Sequence, residues 1–74
     1  MIENREDAQV YFDAALVAYR ALDKALGEIA PKVNEAEFRA LQTATGKVMG
    51  EICLEVFQPF FRLHPDLMPE EWKE

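Results

Sequence analysis

The sequence predicts an all-α protein: an antiparallel helical hairpin with a short C-terminal helical turn, pairing with a second copy into a dimeric four-helix bundle. Three observations lead there. Apolar residues recur at three- and four-residue steps through two long stretches. Each stretch opens on an asparagine followed by acids, the pattern of a capped helix start. The span between them, Ile29 to Asn34, is short enough to make the two helices antiparallel neighbours.

The first helix is expected over roughly residues 5–30, with Asn4 as its cap and Asp7 in its first turn. Ala8, Phe12, Ala15, Tyr19, Leu22, Leu26 and Ile29 step along one face, while Glu6, Asp13, Arg20 and Lys24 fall elsewhere. Pro31 ends the pattern, because it disfavours helix at Ala30 and donates no hydrogen bond of its own.

The second helix is expected over roughly residues 35–58. Asn34 followed by Glu37 is a capping box with asparagine as its first member, and Val33 with Phe38 has the spacing of a hydrophobic staple. Phe38, Leu41, Val48, Ile52 and Val56 form its apolar face, with Thr45 in the same stripe. Pro59 should kink or stop it, leaving Phe60, Phe61 and Leu63 one further turn. In the tail, residues 64–74, Pro69 before two glutamates reads as the start of a short helical turn. Leu67, Met68 and Trp72 are expected to fold back over Phe57, Phe60 and Phe61, with Pro65 and Pro69 lowering the entropy cost of docking.

A chain of 74 residues makes one domain with a marginal core. Chains of this size commonly rely on disulfides, a metal or a second subunit. One cysteine, Cys53, forms no internal bridge, and one histidine with one cysteine builds no ordinary zinc site. Oligomerisation is the remaining route. The net charge of −6 disfavours nucleic acid and anionic membrane as partners. Residues 1–7 carry no apolar signal core, and no apolar run is long enough to span a bilayer. The expectation is a cytoplasmic protein.

Each helix also carries a stripe of small residues. Ala14, Ala18, Ala21 and Ala25 lie on the first, and Thr43, Gly46 and Gly50 on the second. In an antiparallel pair these align as Ala14 with Gly50, Ala18 with Gly46 and Ala21 with Thr43. The expectation is a tight intramolecular seam at these pairs. The large residues are then left for the dimer contact, made by Phe12, Tyr19, Leu22, Leu26, Leu41, Val48 and Ile52.

Motifs for chemistry are lacking. There is no phosphate loop, nucleophile elbow, paired-cysteine motif or repeated Glu-x-x-His pair. Glu51 and Glu55, one turn apart and close to Lys47, read as a solvated face. Cys53 reads as a small core residue and His64 as a bend or cap residue. No catalytic residue, cofactor or metal is expected.

The ends of the hairpin differ in charge. Residues 14–50 carry four acids and five bases, whereas the remaining residues carry ten acids and three bases. The acidic share meets at the open end, with six of the eight aromatics. Phe57, Phe60, Phe61, Asp66, Glu70, Glu71 and Trp72 therefore form a candidate docking surface for a basic protein segment. The expected function is a non-enzymatic homodimeric adaptor or regulator. The alternatives are an acidic binding inhibitor of the immunity or antitoxin kind, and a small enzyme or ligand carrier with a cavity between its helices.

Overall fold

The computed structural model describes residues 1–72, which are all-helical, with two long helices packed against each other. α1 runs Arg5–Ile29 and α2 runs Glu35–Ile52. The Asn4 side chain accepts from the Asp7 amide at 3.0 Å, as its sequence position predicts. Asn34 and Glu37 form the complete capping box: each side chain accepts from the other's backbone amide, at 2.8 and 3.0 Å. These bonds satisfy N–H groups that a helix start otherwise leaves unpaired. Pro31 sits in a 3₁₀ turn, Ala30–Lys32, and extended backbone at Val33 then reverses the chain.

Pro59 does not stop the helical path, which continues through it in altered form. A π-helical turn, Cys53–Phe57, precedes it, closed by the Gln58 amide donating to the Cys53 carbonyl. Pro59 then lies in the first turn of α3, Gln58–Leu63, where a missing donor costs little. Phe57, the last residue of the π turn, and Phe60 in α3 are buried, and Ile52, Cys53, Val56 and Phe61 pack around them. Two 3₁₀ turns follow, Pro65–Leu67 and Glu70–Trp72.

Among the described residues the buried ones are Ala8, Phe12, Phe57, Phe60 and Leu67. All five belong to the open end of the hairpin, and α2 has no buried residue along its 18 positions. The shape is correspondingly long, 45 × 24 × 17 Å, with a radius of gyration of 14.6 Å. A compact chain of this length has about 11 Å.

The small-residue seam is not formed. A Cβ added at Gly46 or Gly50 meets nothing within 4 Å, and Ala14, Ala18, Ala21 and Ala25 are exposed. The large residues pack at the open end instead, where Tyr19, Ile52 and Val56 lie against the buried cluster of Phe12, Phe57 and Phe60. Burial free energy grows with apolar area. A face of phenylalanine, tyrosine and leucine buries far more area than one of alanine and glycine, even when the latter allows closer approach.

Candidate interaction faces

The open end is an aromatic cluster closed by the chain's own tail. Phe12 meets Phe57, Phe60 and Phe61 edge to face, at ring separations of 5.4, 6.4 and 5.5 Å. Trp72 packs on Tyr19, Phe57 and Phe61 at 5.8, 5.6 and 6.3 Å. Leu67 is buried beneath the tail and Met68 is half-buried. The tail is tied to α1 by two ion pairs. Arg5 reaches Asp66 at 2.8 Å, and Arg20 pairs with Glu71. The ring Nε2 of His64, 3.1 Å from the Ile2 carbonyl, joins the N-terminus to the end of α3.

This arrangement redistributes the residues expected to meet partners. Phe57 and Phe60 are buried, and Phe61 and Trp72 are half-buried. The aromatic part of the expected docking surface is thus filled by residues 64–72. Asp66, Glu70 and Glu71 remain exposed at its edge. Among the expected dimer contacts, Phe12 is buried within the chain, and Tyr19, Leu26 and Ile52 are half-buried. Leu22, Leu41 and Val48 stay exposed, at 37%, 42% and 51%.

Those three outline one bare side of the hairpin. Near the bend, an open groove of about 390 Å³ runs between α1 and α2, lined by Leu22, Ala25, Leu26, Ile29, Leu41 and Thr45, with Glu28 and Lys32 also contributing. The tail lies on the opposite side. Arg20, its anchor, is two residues from Leu22, and at ~100° per residue the two point about 160° apart. A second bare surface lies on α1 away from α2. Val10 and Val17 are 73% and 68% exposed, the two highest values among the large apolar side chains of the described residues. The signal for this surface is the spacing of Val10, Ala14, Val17 and Ala21, which runs along the side of α1 opposite Phe12. No comparable signal pairs Arg5 with Asp66 or Arg20 with Glu71, since each pair is separated by more than fifty residues.

The electrostatics are those of a surface. Among the described residues no polar or charged side chain is buried, and no group of three or more potential metal ligands comes together. Glu51 and Glu55 are both exposed. The hydrogen bond from Arg5 holds the Asp66 carboxyl below its usual value. Burial, with the Cys53 thiol alongside, pushes the Tyr19 phenol up. Cys53 itself is half-buried at the edge of the aromatic cluster. No described helix is long and apolar enough to cross a membrane. Comparison with protein-family models, with curated proteins and with solved structures finds no match to this chain.

Proposed function

We propose that this chain is a non-enzymatic helical interaction module that works as a homodimer, two hairpins packing their bare sides into a four-helix bundle. The observation that carries the reading is the missing core of the bend half. Its helices expose Leu22, Leu41 and Val48 beside an apolar groove, and none of residues 13–56 is buried. The chain exposes 5449 Å². A compact monomer of 8.5 kDa exposes about 4,650 Å². The excess, about 800 Å², is what one partner contributes to a standard stable interface.

A two-fold bundle places Leu22, Ile29, Leu41 and Val48 of both copies in one shared core and brings each helix against two neighbours about a quarter turn apart. The near balance of acids and bases along residues 14–50 lets two such halves approach without strong repulsion. The acidic open end then stands clear at the periphery. As a binding surface it offers charge without an aromatic anchor, because its rings are already packed. That weighs against the acidic-inhibitor reading.

Sedimentation equilibrium tests the proposal. A species of at least twice the chain mass is expected at micromolar concentration. Leu41→Asp and Val48→Asp should each weaken it by burying an uncompensated charge at the contact. A monomer that keeps full helicity and melts cooperatively would overturn the reading.

A further inference from the structure

We infer that α1 carries a second, self-complementary contact face, along Val10, Ala14, Val17 and Ala21, and that it takes the same face of another copy in antiparallel register. This face is distinct from the one that meets α2. Val10 lies about 160° and Val17 about 140° around α1 from buried Phe12, so the stripe points away from α2 and comes near the groove only at its bend end, where Ala25, four residues beyond Ala21, lines it. The two most exposed large apolar side chains of the described residues are thus on one line, seven residues apart. With Ala14 and Ala21 between and beyond them, they make the four-three-four step of a coiled-coil seam.

The sequence of the stripe names its occupant. An antiparallel partner related by a two-fold axis between Ala14 and Val17 sets Val10 opposite Ala21 and Ala14 opposite Val17. Each layer pairs a large side chain with a small one, which fills the contact without overpacking and permits a short interaxial distance. The next layer outward sets Asp7 opposite Lys24. Asp7 makes no ion pair among the described residues, and Lys24 has only an exposed contact with Glu28, at 3.8 Å. Opposite charges therefore close both ends of the seam, once at each end by symmetry. A parallel partner lacks this match, because it sets Asp7 beside Asp7 and Lys24 beside Lys24. Combined with the groove-side bundle, a second two-fold contact joins dimers: into a closed dimer of dimers where the two axes cross at right angles, and into a longer row otherwise.

Disulfide trapping in a Cys53→Ser background tests the face and its direction together. An equimolar mixture of Ala14→Cys and Val17→Cys chains, and one of Val10→Cys and Ala21→Cys chains, should each oxidise to the mixed covalent dimer. Val10→Cys alone should stay uncrosslinked, its two sulfurs being about 11 residues apart along the seam, roughly 16 Å. Efficient self-crosslinking of Val10→Cys marks a parallel contact and overturns the proposal, as does failure of both mixtures to crosslink. In solution, Asp7→Lys and Lys24→Asp should each weaken the tetramer-forming step about fivefold, and the double exchange should restore it. No recovery in the double variant also counts against the register. Leu41→Asp addresses the groove-side bundle alone, so a failure there leaves trapping along α1 intact, and the reverse.

Discussion

The Trp72 ring lies 5.6 Å from the Phe57 ring, centroid to centroid, tilted at 55°. Fifteen positions apart in the chain, the two residues join the tail to the π turn and close the core at the open end. This places the single tryptophan within the fold. Its emission should be blue-shifted in the native state and move red on denaturation. Quenching by iodide or acrylamide should be slow compared with the unfolded chain. Native emission at the fully hydrated wavelength would show that the tail leaves the cluster in solution.

Removing a central ring should be severe. Phe60 is fully buried and stacks on Tyr11 at 5.8 Å, while Phe12 meets three other rings. Phe12→Ala or Phe60→Ala should cost about 3–5 kcal/mol. Natural domains hold about 5–15 kcal/mol in all, and a core this small sits at the low end. Loss of the cooperative thermal transition by circular dichroism is the expected outcome. A shift of only a few degrees would show that the aromatic cluster is not the centre of stability.

The helical glycines should respond in the opposite sense. A Cβ at Gly46 or Gly50 meets open space, so alanine there gains helix propensity with no steric penalty. Gly46→Ala and Gly50→Ala should each stabilise by about 0.5–1 kcal/mol, read as a rise in Tm. A loss of stability in either variant would place a neighbour over that face.

Acid should weaken the tie between the tail and α1. Arg5 lowers the Asp66 pKa in the folded state, so the unfolded chain binds the proton more readily. The contribution of the pair is present above about pH 4, the ordinary aspartate range, and is lost as pH falls through the folded value. Asp66 is fully exposed, so the effect is small and shrinks with added salt. Asp66→Asn should flatten the acid limb of a stability-against-pH curve at low ionic strength. An unchanged acid limb would mean that the Arg5–Asp66 contact does not persist in solution.

Much of this structure is local and so readable from the chain. Asn4 and Asn34 start their helices because a short polar side chain reaches amides three residues on, and no distant residue is needed. Pro31 falls where α1 gives way to a 3₁₀ turn, although Ala30 keeps helical dihedrals and the chain turns extended only at Val33. The return of the tail is legible as well, since Leu67 and Trp72 gain by leaving water and the aromatics of the second helix are the nearest cover.

Which faces meet was decided only in three dimensions. Each helix displays several stripes, and its sequence lists them without ranking one against another. The small-residue stripes align as well on paper as the large ones, but large residues bury more apolar area, and at the open end Phe12, Tyr19, Ile52 and Val56 make the packing while the glycines face open space. Pro59 likewise has a local penalty, whereas its outcome depended on the π turn before it, which leaves it in the first turn of α3 where the missing donor costs little. The ion pairs of Arg5 and Arg20 exist because the docked tail brings Asp66 and Glu71 beside them. The sequence by itself determined where the helices begin, where the chain reverses and which residues prefer to leave water. Tertiary structure decided which of those residues cover one another, because burial is a property of pairs of surfaces and a single helix holds only one surface of each pair.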